Sequence, residues 1–188
     1  EVFVSARGQH DNLGDSVLRR GLLDALRPLG RLHVNVAGLG EGYLGALGLS
    51  GDEVLVREGW GSALVRGASR GFVYGFNAGE TYASAAYAAH CVKMAPLLAL
   101  SRARGGSAFH LGLGIRAPHR GWGAVLLAAL AVCDEVSWRD PESRRWIGTG
   151  SVAPDWAFAH RSAVTKPIVD QERFASVWAK TRALAGGY

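Results

Sequence analysis

Two rhythms of apolar residues alternate along this chain. Short runs rich in β-branched and aromatic residues stand at 2–5, 32–37, 53–56, 71–76, 108–113 and 135–138, which predicts strands. Between them, apolar residues recur at three- and four-residue spacing and predict helices over 14–27, 60–69, 81–102 and 121–133, with short helical turns at 41–47 and 141–146. In the first helix, Val17, Leu18, Leu22, Ala25 and Leu26 make the stripe and Pro28 stops it. Pro96 predicts a bend in the 81–102 helix. Residues 122–133 carry no polar side chain beyond the Trp122 indole, and a run of only twelve such residues suits a helix buried inside a large sheet protein. Val152 marks a last short strand, and 169–184 reads as an amphipathic helix built on Phe174, Val177, Trp178 and Leu184.

Strand and helix alternate at least five times. That order predicts an α/β fold with a doubly wound, mainly parallel sheet and helices on both faces. Right-handed crossovers then gather every strand-to-helix loop at one edge, where ligands bind in open sheets. The polar stretch 160–167, ending in Pro167, predicts a boundary. The expected organisation is an α/β domain over 1–160, then a linker and C-terminal helix over 161–188.

Composition narrows the class. The chain has 188 residues, 48% hydrophobic and 20% charged, within the range of globular domains and outside that of disordered ones. Its 26 glycines lie mostly between apolar runs, as tight strand-to-helix turns require. The net charge is +5, from 21 Lys+Arg of which only Lys93, Lys166 and Lys180 are lysines. Such an Arg excess reflects either a GC-rich coding sequence or recognition of carboxylate and phosphate by guanidinium forks. There is no polybasic run and no aromatic–basic interleaving, so nucleic acid is not an expected partner. Cys91 and Cys133 cannot form a framework or a zinc site alone; both are expected to be reduced and unpaired. The longest apolar stretch, 82–100, is interrupted by His90, Lys93 and Pro96, so no membrane span is expected. Residue 1 leads straight into a strand-like run with no leader pattern, and a cytoplasmic location is expected, including the inner face of the membrane. The six histidines show no metal-ligand spacing, and neither a P-loop nor a nucleophile elbow is present. His33 and His110 fall within strands and read as structural residues.

The candidate chemistry sits in the loops. After the first strand come Asn12, Gly14 and Asp15, at a helix start whose amides favour an anion. Asp15 either faces the ligand edge or caps those amides, and Asn12 shapes the turn. The stretch 112–117 formally matches the dinucleotide fingerprint, and Asp134 falls at the right distance. That acid, however, precedes its strand and so stands at the wrong edge. The same loop holds Arg116, His119 and Arg120, a set able to hold an anion. Arg139 follows the 135–138 strand and points toward the ligand crevice, unless an ion pair with Asp140 or Glu142 keeps it structural. Asp140 or Ser143 can satisfy amides of the following helix, and Asp155 occupies a short turn. His90 lies on the long helix near Lys93, where packing and catalysis both remain open.

Four motifs in order carry a family likeness. They are Asn12-Leu13-Gly14-Asp15, Asn77-Ala78-Gly79-Glu80-Thr81, Leu111-Gly112-Leu113-Gly114-Ile115, and Val136-Ser137-Trp138-Arg139-Asp140-Pro141-Glu142-Ser143 followed by Pro154-Asp155-Trp156-Ala157-Phe158. Over about residues 2–160 the chain resembles the polysaccharide pyruvyl transferase family. The resemblance implies a Rossmann-like half of a two-domain, glycosyltransferase-B-like architecture. It implies transfer of the enolpyruvyl unit of phosphoenolpyruvate to a glycan or lipid-linked sugar, giving a pyruvate ketal. No cofactor or metal is expected, phosphoenolpyruvate being the donor substrate; a homo-oligomer is compatible with this reading. Asp15, His90, His119 and Arg139 become the catalytic candidates, with Asn12, Gly14, Glu80, Gly114, Arg116 and Asp155 as substrate-binding candidates. The alternatives are a sugar-nucleotide glycosyltransferase half-domain and a non-catalytic glycan- or anion-binding module. Many family members have three glycines where this chain reads Asn77-Ala78-Gly79-Glu80, and the family's second domain, with its Arg-Leu-His type motif, has no counterpart in these residues.

Overall fold

The computed structural model describes residues 1–8, 12–116 and 120–156. Among these residues, eight strands form a single sheet: β1 (Val2–Ser5), β2 (Leu32–Asn35), β3 (Val54–Val56), β4 (Val73–Gly75), β5 (Gly79–Tyr82), β6 (Ser107–Arg116), β7 (Glu135–Trp138) and β8 (Ser151–Val152). Seven of them run in the order β3-β2-β1-β4-β6-β7-β8, β5 pairs with β6, and every pairing is parallel. This is a doubly wound, Rossmann-like α/β arrangement. The chain winds outward from β1 to β3, then returns to lay β4 on the other side of β1. The crevice between the carboxyl ends of β1 and β4 is therefore the topological switch point.

Six α-helices occur among the described residues: α1 (Leu13–Leu26), α2 (Glu41–Ala46), α3 (Trp60–Ala68), α4 (Ala85–Arg102), α5 (Arg120–Leu130) and α6 (Pro141–Ile147). Pleating sends successive residues of β1 to opposite faces. Val2 and Val4 pack with Leu22, Leu23 and Leu26 of α1 and with Tyr43 and Leu44 of α2. Phe3 packs on the other face, in a core that takes in Leu64 of α3, Met94 and Leu98 of α4 and Leu126 of α5. Burying both faces explains why the strands read as apolar runs rather than alternating ones.

Several boundaries follow local rules. Asn12 caps α1, its Oδ1 accepting from Gly14 N at 3.0 Å, so Asn12 and not Asp15 performs the capping. Pro28 falls in a 3-10 turn, Arg27–Leu29, which ends α1. Ser84 caps α4, and Asp140 caps α6 by accepting from Ser143 N at 2.7 Å. Two expectations differ from the fold. The 81–102 run starts its helix only at Ala85, because Gly79–Tyr82 forms β5, which continues the line of β4 and pairs with the far half of β6. And α5 is buried on one side only. Its other side leaves Leu127 42% exposed, so the apolar run reflects small Ala and Gly positions at the surface and not burial all round. The proposed boundary at 160–167 and the helix at 169–184 lie outside the described residues.

Candidate functional site

The carboxyl edge at the switch point holds a cleft of about 500 Å³. Arg7, Gly8, Asn12, Asp15 and Arg19 come to it from the β1–α1 segment, Asn77, Glu80, Thr81 and Tyr82 from the β4–β5 segment, and Arg116 from the end of β6. Three guanidiniums and two carboxylates thus share its wall among the described residues. Asn77 Nδ2 donates to the Arg7 carbonyl at 2.6 Å and ties the two segments together across the crevice.

Asp15 sits in the first turn of α1 and Arg19 one turn later, so both face the same way. Arg19 Nη1 lies 2.9 Å from Asp15 Oδ1 and also donates to the Asp15 carbonyl at 3.2 Å. Arg19 is only 5% exposed. Its guanidinium fits against Gly79, where a Cβ would come within 2.9 Å of Nη1; the φ of +110° there also favours glycine. Among the described residues Arg19 Nε and Tyr43 Oη have no hydrogen-bond partner, although both are buried. Burial raises the Tyr43 pKa, against the opposing pull of Arg19. Arg7, Arg19 and Tyr43 were not singled out from sequence. The signal that was present is the four-residue step from Asp15 to Arg19.

The second cluster is built across three strands. Glu80 of β5 stands in register opposite Gly114 of β6. Arg139 follows β7, on the far side of β6, and its N–H donates to the Leu113 carbonyl at 3.1 Å. Its side chain crosses β6 over Gly114, where a Cβ would fall against Nε, Cδ and Cγ. There Nη2 pairs with one Glu80 carboxylate oxygen, while Arg116 Nε pairs with the other. Asp155 Oδ2 lies 3.6 Å from Arg139 Nη1. Arg139 therefore reaches the cleft wall through Glu80. Its ion-pair partners are Glu80 and Asp155, not the sequence neighbours Asp140 and Glu142. Asp140 is engaged as the α6 cap and Ser143 Oγ also donates to it, at 2.8 Å.

Gly112 has a similar task. Its φ is +69°, and a Cβ there would approach Trp156 Nε1 to 2.7 Å. The Trp156 indole lies over it and donates to the Leu111 carbonyl at 3.0 Å. The Gly-x-Gly pair of β6 thus makes room for two side chains, Trp156 and Arg139.

The cleft brings together Asn12, Asp15, Glu80 and Arg116, with Gly14 beside the Asn12 cap and Gly114, Arg139 and Asp155 behind Glu80. His90 is not brought in. It is an exposed residue of α4, its ring edge-on to Phe76 at 6.1 Å, with its pKa lowered first by desolvation and then by Lys93. His119 lies outside the described residues. His110 is fully buried, its Nε2 2.8 Å from Tyr87 Oη, and burial lowers its pKa to about 4. Cys91 and Cys133 are both free, as expected. Among the described residues, no cluster of three metal-binding side chains occurs and no helix is long and apolar enough to cross a membrane.

No family model matches the chain, and no significant match was found among curated proteins or solved structures.

Proposed function

We propose that this chain is the donor-binding half of a polysaccharide-pyruvyl-transferase-like enzyme, with phosphoenolpyruvate held at the switch-point cleft. The observation that carries the reading is convergence. Residues from each of the motif segments that resemble the family, separated by up to 143 positions between Asn12 and Asp155, meet at one carboxyl edge. Asp15, Glu80 and Arg116 line the cleft at that edge, and Arg139 reaches it through Glu80.

The chemistry matches the residue types. Phosphoenolpyruvate carries a phosphate and a carboxylate, and Arg116 and Arg139 supply planar forks for such groups. Ketal formation adds a proton to the enol methylene carbon, bonds two sugar oxygens to the central carbon and releases phosphate. Two hydroxyl protons are removed overall, one balanced by the new methyl C–H bond and one by the phosphate. Of the two carboxylates on the cleft wall, Glu80 is held between Arg116 and Arg139, so Asp15 is assigned the hydroxyl proton, and the charge leaving with phosphate is met by the guanidiniums. His90, outside the cleft lining, has no part in this scheme. The acceptor would approach from the open side of the cleft.

A thermal-shift panel tests the reading. Phosphoenolpyruvate is expected to raise the melting temperature at concentrations where nucleotide sugars and neutral oligosaccharides do not. Stabilisation by nucleotide sugars alone would point to a glycosyltransferase half-domain, and by oligosaccharides alone to a glycan-binding module.

A further inference from the structure

Two guanidiniums at this edge, Arg116 on the cleft wall and Arg139 behind it, are already occupied by a carboxylate of the chain itself. Glu80 presents one oxygen to Arg139 and the other to Arg116, the two-point arrangement by which an acidic ligand would engage a pair of forks. Its placement is built in at several levels. Register sets Glu80 opposite Gly114, the missing Cβ of Gly114 lets Arg139 cross to it, and Asp155 flanks the other arm of Arg139. The Glu80 side chain is 27% exposed and lines the cleft, so it can be exchanged without opening the core.

We propose that Glu80 is a specificity-determining residue, an internal stand-in for the ligand's acidic group that an incoming anion must displace. This rests on the reading above that Arg116 and Arg139 bind the anionic donor. A monocarboxylate that displaces Glu80 exchanges one carboxylate for another and gains little. A phosphate or phosphate ester brings a second charge and a third oxygen, so it gains contacts that Glu80 cannot make. Glu80 therefore sets a threshold that favours dianionic phosphate compounds over simple carboxylates. It also keeps the two guanidiniums aligned between binding events.

The test compares wild type with Glu80→Gln, which keeps the size but removes the charge, and with Glu80→Ala, which vacates the position. Folding of each is checked by circular dichroism, and inorganic phosphate and acetate are titrated by calorimetry and thermal shift. Glu80→Gln is expected to bind phosphate about two- to fivefold more tightly, the scale of losing a partly exposed competing ion pair. Acetate should stabilise Glu80→Ala and leave wild type unmoved, because it fills the vacated position. Phosphate binding by wild type with equal or weaker binding by both variants overturns the inference and leaves the anion-cleft reading standing. Absence of phosphate binding by wild type and both variants overturns both.

Discussion

Arg139 and Glu80, which belong to opposite flanks of β6, form an ion pair across that strand, over Gly114. The pair joins residues 59 positions apart and ties the end of β7 to the wall of the switch-point cleft. It turns a glycine in the middle of a strand from a weakness into a passage.

Gly114→Ala tests that passage. A Cβ there meets three atoms of the Arg139 side chain, two of them at 3.1 Å, and Arg139 can escape only by leaving Glu80. The expected cost is about 1–3 kcal/mol of unfolding free energy, as for other overpacked sites. Urea denaturation measures it. Wild-type stability in this variant would mean that Arg139 is not held over the strand.

Asn12→Ala removes the Oδ1 acceptor of the Gly14 amide and frays the start of α1. Stability should fall by about 1 kcal/mol. Asp15 would lose its fixed place on the cleft wall, so ligand binding should weaken as well. Asn12→Asp should restore most of the stability, since Asp caps equally well. The readout is the unfolding midpoint of the two variants.

His110 makes the fold sensitive to acid. Burial holds its pKa near 4, below the ordinary value of 6.5, so the unfolded chain binds the proton more readily. The stabilising contribution is complete above pH 6.5 and is lost progressively as pH falls toward 4, up to about 3 kcal/mol for this group. Denaturation midpoints measured from pH 7.5 to 4.5 should fall, and His110→Gln should flatten that dependence. An equal slope in both proteins would place the acid sensitivity elsewhere.

The thiols offer a check on packing. Burial pushes Cys91 up to about 11 and Cys133 to about 12, so both are protonated at neutral pH. Ellman's reagent at pH 8 should react slowly with the native protein and should titrate two thiols in denaturant. Fast reaction of both thiols in the native state would contradict the burial of Cys91.

Much of the framework was legible in the sequence because both sheet faces are covered. Apolar runs such as 32–37 and 135–138 then mark strands directly, and Pro28 and Pro141 mark helix ends and starts. β5 was hidden because Gly79-Glu80-Thr81-Tyr82 has no apolar alternation of its own and runs into an alanine-rich helix. Its strand character comes from pairing with the far half of β6, a long-range contact. The cleft was legible only in part. Asn12, Asp15 and Arg116 follow from strand-to-helix order, which fixes the edge they occupy. The partner of Arg139 was not legible. Local spacing pointed to Asp140 or Glu142, whereas the α6 cap takes Asp140 and the bare surface of Gly114 leads Arg139 to Glu80. Arg19 went unremarked because an arginine on an amphipathic helix ordinarily faces water; here Gly79 leaves room for it to be buried.

The most direct test of the donor-binding cleft is a calorimetric titration of phosphoenolpyruvate into wild type and Arg139→Lys, with melting temperatures recorded alongside. Lys keeps the charge and loses the two-pronged fork. Affinity should fall by about 1–3 kcal/mol, roughly five- to 150-fold, with little change in melting temperature. Equal affinity with a lowered melting temperature would make Arg139 a structural residue and contradict the assignment of the cleft to an anionic donor.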